Sequence, residues 1–137
     1  MVNETGKRGE TLALVLFTAP YGNQYADHLC HIADKALEKG YSVEIFLYGD
    51  AVHSSLTGQR PKNLFNVGEA LAQLADRGAT IYSCLICAIA RGCIKDYDEA
   101  KKAYNSTITL PFIKYVTVQG FVSMIKKADR LMMFGSS

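Results

Sequence analysis

Three of the chain's four cysteines fall within the thirteen residues Ile81 to Cys93, I-Y-S-C-L-I-C-A-I-A-R-G-C, in otherwise almost uniformly apolar surroundings. Thiols grouped in this way can fill a core, hold a metal, close a disulfide or act as nucleophiles, and spacing separates these uses. Zinc asks for two C-x-x-C pairs, or for C-x-x-C with two histidines at ligand spacing. Cys84, Cys87 and Cys93 with His53 would be an irregular set, and His28 with His31 lacks a partner pair, so no metal is expected. Cys84 and Cys87 do have the C-x-x-C form of dithiol redox motifs. Their inner residues, Leu85 and Ile86, are unusually bulky for that use, and two strand-helix units precede the motif where a thioredoxin-like domain has it after its first parallel strand. A third use is sulfur carriage, in which a thiolate accepts a sulfane sulfur and passes it to another thiol.

The elements that must position these thiols follow from hydrophobic period and breakers. Thr11 to Phe17 is an apolar run of strand length stopped by Pro20 and Gly22. Tyr25, Ala26, Leu29, Ile32, Ala33, Ala36 and Leu37 recur at three and four, so a helix follows and ends at Gly40. Val43 to Tyr48 reads as a second strand, Ala51 to Lys62 as a polar loop, and Leu64, Val67, Leu71 and Leu74 as a second helix. Ala79 to Ser83 is a third strand, after which the period turns helical at the cysteines. Asp96 with Glu99 has the form of a capping box and predicts a short helix over Tyr97 to Tyr104. Pro111 pushes the fourth strand late, to Tyr115 through Val118. Gly120 to Lys127 predicts a last helix and Arg130 to Phe134 a last strand.

Strands apolar on both faces that alternate with helices imply an α/β fold with a parallel sheet covered on both sides. One domain over residues 11–137 behind a flexible tail of residues 1–10 suits a chain of 137 residues. A hydrophobic fraction of 49% with 20% charged residues is ordinary for a folded protein. A net charge of +2 without a clustered basic face gives no reason to expect direct nucleic-acid binding. No apolar run approaches the ~20 residues of a membrane span, so a soluble, cytoplasmic protein is expected. Phosphate motifs fail: neither G-x-G-x-x-G nor a complete P-loop is present, and T-G-K at Thr5 lacks the upstream glycine. No cofactor is implied.

In sheets of this kind ligands bind at the carboxyl ends of the strands. Cys84 directly follows the third strand and opens a helix, where unpaired backbone N–H groups favour thiolate and should lower its pKa. Cys87, one turn on, could resolve or bridge, or be packing. Cys93 after Arg91 and Gly92, and Cys30 within the first helix, read as structural.

Four stretches, A-P-Y-G-N-Q-Y-A-D from Ala19, I-F-L-Y-G-D-A-V from Ile45, C-L-I-C-A-I-A-R-G from Cys84, and V-Q-G-F with A-D-R-L-M-M-F-G toward the end, together resemble the DsrE/DsrF-like (TusD-like) sulfur-relay family. The resemblance implies a three-layer α/β/α sandwich with a five-stranded parallel sheet. It makes Cys84 the persulfide-carrying residue and marks Cys87 and Cys93 as departures from the family pattern, each a candidate second thiol. It also implies a homotrimer or hexamer, with related subunits in some cases, that receives sulfur from a TusA-like carrier protein. The expected function is sulfur carriage or sulfurtransfer, with dithiol exchange by Cys84 and Cys87, or a non-catalytic assembly role, as the alternatives. His53 in the loop after the second strand, Tyr21, Gly22 and Asn23 in the turn after the first, and Arg91 are the candidate pocket residues. The N–H groups from Tyr21 to Asn23 could hold an anion such as a persulfide.

Overall fold

The structure, a computed structural model, describes residues 9–94, 98–101 and 108–135. Strands β1 (Thr11–Leu16), β2 (Ser42–Leu47), β3 (Thr80–Cys84), β4 (Ile113–Val116) and β5 (Arg130–Phe134) form one sheet in the order β4-β3-β2-β1-β5. Every pairing is parallel, with Leu14 opposite Ile45 and Met132, and Ile81 opposite Ile113. Side chains alternate across the strands. Leu12, Leu14, Leu16, Val43, Ile45, Leu47 and Ile81 therefore pack on helices α1 (Tyr25–Glu38) and α2 (Val67–Asp76). Ala13, Val15, Phe46 and Cys84 face the opposite layer, which holds α3 (Leu85–Ala90) and α4 (Val118–Lys127). The expected three-layer sandwich with five parallel strands is the observed fold.

The helices stop where the sequence breaks them. Gly40, Gly78 and Gly92 take positive φ of 93°, 105° and 75°. The N–H of the following residue then reaches back to the carbonyl five positions earlier: Tyr41 to Ala36, Ala79 to Leu74 and Cys93 to Ala88. This is the Schellman closure, in which the residue after the glycine folds back against the last turn. Cys93 is that residue for α3, which accounts for an apolar side chain buried there.

Several segments depart from expectation. Gly49–Ser55 is a 3-10 helix rather than part of a polar loop, with Ala51, Val52, Ser54 and Ser55 buried. One local and one distant bond let Ser55 enter the core: its hydroxyl lies 2.7 Å from the Val52 carbonyl and 2.6 Å from the Tyr115 hydroxyl. The fourth strand begins at Ile113, directly after the Pro111 turn, and α4 begins at Val118, so both start two residues early. Leu64 lies before α2 and is 58% exposed, because Asn66 caps that helix. Of the helix expected over Tyr97 to Tyr104, residues 98–101 are described and form a turn instead, because the Asp98 carboxylate accepts the Ala100 and Lys101 N–H groups at 3.0 and 3.3 Å; the rest of that stretch, and residues 1–8 of the expected tail 1–10, lie outside the described residues.

Candidate functional site

Cys84 ends β3 and is the N-cap of α3, with extended backbone at φ −69° and ψ 119°. Its Sγ accepts the Cys87 backbone N–H at 3.4 Å. Placement at the strand-helix junction is as expected; its electrostatic consequence is the reverse. Only 3% of Cys84 is exposed, and burial pushes its thiol above the ordinary value. The neighbouring thiol adds to the rise, and the Cys87 and Ile86 backbone N–H groups offset part of it. A six-residue helix has little macrodipole to set against desolvation.

Cys87 is the half-buried member of the pair. Cys93 is buried in the same apolar layer as Cys84, its thiol raised by burial against a lowering contribution from Arg91. Cys30 is buried among α1 core residues and pushed up to about 12 by desolvation, which leaves it inert. No disulfide joins the four.

The 3-10 helix packs against α3 and brings Asp50 and His53 to Arg91, the residue that ends α3. Arg91 Nε donates to Asp50 Oδ1 at 2.9 Å, and its Nη1 donates to the Cys87 carbonyl at 3.2 Å. His53 Nδ1 lies 2.9 Å from the Asp50 carbonyl. Asp50 thus links His53 to Arg91, a connection across 41 residues that nothing in the sequence signalled. An aromatic group of Phe46, Tyr48 and Phe121, with ring centroids 4.6 to 6.0 Å apart, walls the layer that holds Cys84.

Tyr21, Gly22 and Asn23 are elsewhere. They line a hollow with Gln24, Asp27, Leu64 and Phe65, and Tyr21 packs on the α1-α2 core. The Tyr21 hydroxyl donates to Gln59 Oε1 at 2.6 Å and accepts the Val67 N–H at 3.2 Å. Gln59 Oε1 also accepts the Gly68 N–H at 3.2 Å, and Asn66 Oδ1 accepts the Glu69 N–H at 2.9 Å. The first three N–H groups of α2 are therefore satisfied by three side chains, which is a structural use of Tyr21. At the start of α1, Asn23 accepts the Tyr25 N–H and Asp27 adds negative charge, an unfavourable setting for an anion. Among the described residues no group of three His, Cys, Asp or Glu side chains could hold a metal. No helix among the described residues is long and apolar enough to cross a membrane.

A parallel five-stranded α/β/α sandwich with a thiol at the carboxyl end of its third strand is the class of protein defined so far. The profile of the DsrE/DsrF-like family matches residues 11–134, and the chain belongs to that family. It is 29% identical over 126 residues to an uncharacterised protein of Methanopyrus kandleri, covering 91% of this chain and 94% of that one. It is 25% identical over 130 residues to protein YchN of Escherichia coli, covering 91% and 99% of the two chains. The crystal structure of the Escherichia coli protein superposes with a TM-score of 0.78 at 21% identity, over 91% of this chain and 99% of that one. Membership supports a sulfur-relay type of protein in broad terms.

Proposed function

We propose that the protein is a cytoplasmic sulfur carrier, a sulfurtransferase that holds sulfane sulfur as a persulfide on Cys84. The observation that carries this reading is the seat of Cys84, at the carboxyl end of β3 and under the first turn of α3, where a backbone N–H contacts its sulfur. In loading, the Cys84 thiolate attacks the outer sulfur of a donor persulfide; the new S–S bond forms as the donor's thiolate departs. Burial disfavours the free thiolate but also keeps water and stray oxidants from the stored sulfur. A TusA-like carrier takes the donor's part, and discharge is the same exchange with the thiol of an acceptor protein. Arg91 and His53, held by Asp50 beside α3, form the polar rim that such a partner would meet.

Assembly into a homotrimer or hexamer, with or without related subunits, is part of the proposal. Its support is the edge strand β5, where Leu131, Met132 and Met133 are 39%, 40% and 51% exposed in the isolated chain. Adjacent exposed apolar side chains on a sheet edge invite cover by another chain.

The test is mass spectrometry of the protein after incubation with a sulfane donor. The wild type should gain one sulfur atom that maps to Cys84, and Cys84→Ser should not. Serine caps a helix as well as cysteine does, so the variant keeps its fold. Equal gain in Cys84→Ser refutes the assignment. Dithiol exchange is the second reading, favoured by the C-x-x-C spacing and the 3.4 Å contact of the Cys87 N–H with the Cys84 sulfur; reduction of insulin disulfides that needs both cysteines would establish it instead.

A further inference from the structure

The carrier reading gives Cys87 nothing to do, yet its backbone N–H sits 3.4 Å from the Cys84 sulfur, one helical turn on, and its side chain is the less buried of the two. We propose that Cys87 is a resolving thiol: when no acceptor arrives, it closes a disulfide with Cys84 and the stored sulfur leaves as hydrosulfide. The inference rests on the persulfide reading of Cys84 and adds the fate of that persulfide.

The step balances within the chain. The Cys87 thiolate attacks Sγ of the Cys84 persulfide, a Cys84–Cys87 S–S bond forms, the bond from Sγ to the outer sulfur breaks, and the outer sulfur departs as HS⁻ with its own proton. Two thiols are oxidised to a disulfide and the sulfane sulfur is reduced to sulfide. A dithiol reductant then returns the pair to the starting state.

Geometry permits closure. Side chains three residues apart on a helix have Cβ atoms about 5–6 Å apart, and a disulfide needs about 3.5–4.5 Å. Cys84 is the N-cap, with extended backbone outside the helical cylinder, and its sulfur is already folded back onto the Cys87 N–H. A shift of roughly 1–2 Å at a helix end suffices.

Two sulfurs of the persulfide could be attacked, and burial chooses between them. Attack on the outer sulfur, the course by which an acceptor discharges the site, would here only move the sulfane sulfur one turn along the same helix and return the Cys84 thiolate to a layer of Val15, Phe46, Ala88 and Met124, where it is poorly solvated and takes the sulfur back. Attack on Sγ expels a small, readily hydrated anion and leaves a neutral disulfide in the apolar layer. The better leaving group departs faster.

The experiment loads wild type and Cys87→Ser with a sulfane donor, removes the donor, and follows sulfide release and cysteine pairing. Wild type should release one equivalent of sulfide and acquire the Cys84–Cys87 disulfide. Cys87→Ser should hold its persulfide, releasing sulfide at least about tenfold more slowly. Equal release rates, or release with both thiols still open to alkylation, overturn the proposal. A second arm oxidises the reduced wild type with diamide. Absence of a Cys84–Cys87 disulfide there, with a persulfide present on Cys84, overturns the resolving step alone. A diamide disulfide with no persulfide on Cys84 in either protein overturns the carrier reading and this inference with it.

Discussion

Replacing Tyr21 by Phe separates a helix cap from a binding residue. The phenol oxygen accepts the Val67 N–H at 3.2 Å and donates to Gln59 Oε1 at 2.6 Å, and Val67 is 1% exposed. Removing the hydroxyl leaves Gln59 with its bond from Gly68, but leaves the Val67 N–H without a partner at a buried helix start. A lost hydrogen bond with an unsatisfied donor costs about 1–3 kcal/mol. Tyr21 is only partly buried and water can reach part of the site, so about 2 kcal/mol is the working value. At about 2.1 cal/mol/K per residue the unfolding entropy of a chain this size is roughly 0.29 kcal/mol/K, so Tm should fall by about 7 °C. The measurement is thermal unfolding by circular dichroism, run beside persulfide loading of the same variant. The expected result is a lower Tm with loading intact below the transition. An unchanged Tm refutes the capping role, and loss of loading at an unchanged Tm would return Tyr21 to the sulfur site.

Two further substitutions test the packing around the site. Cys30 is held protonated by burial up to about 12. Between the unfolded thiol pKa of about 8.5 and that value the unfolded chain binds fewer protons than the folded one, so stability falls as pH rises, by up to roughly 1.4 kcal/mol per pH unit. Denaturant midpoints at pH 8 and pH 10.5, values chosen to bracket about two units of that range, should show a steeper loss in wild type than in Cys30→Ala; parallel losses would refute it. At Gly120 in α4 an added Cβ would sit 2.9 Å from Val116 Cβ. Gly120→Ala should therefore lower stability by about 1–3 kcal/mol despite the better helix propensity of alanine. Val116→Ala in the same chain should recover part of that loss, as read by Tm.

The order of strands and helices was open to reading because each element carries its own signal. Apolar runs bounded by Pro20, Gly40 and Gly78 leave little choice of boundary, and an alternating βα pattern leaves little choice of sheet. The failures share one cause. Ala51 to Ser55 reads as loop because its serines are polar; bonds to Val52 and Tyr115 admit Ser55 to the core, and Ser54 is buried there with its hydroxyl unpartnered among the described residues. Tyr115 is 60 residues away, and no local pattern encodes that pairing. A carboxylate partner for Arg91 is open to expectation, but that it is Asp50, 41 residues away, is encoded by no local pattern either.

The site shows the limit more sharply. Placing Cys84 and Tyr21 at the carboxyl edge of one sheet was sound, but that edge has two sides. The turn after β1 leads into α1, on the face with Leu14 and Ile45, whereas Cys84 shares the parity of Tyr82 and points toward Phe46 and α3. Strand parity is legible in a sequence; which parity faces which helix layer is set by the crossovers, and those follow only from the strand order. The sheet itself then separates the Tyr21 hollow from the thiols. An N-cap position likewise argues for a reactive thiolate only if the thiol reaches water, and the burial of Cys84 under its own helix reverses that sign. What the Cys84 environment favours is a neutral sulfur, whether thiol or disulfide, so its anionic states should be brief and the half-buried Cys87 is the thiol that meets reagents first.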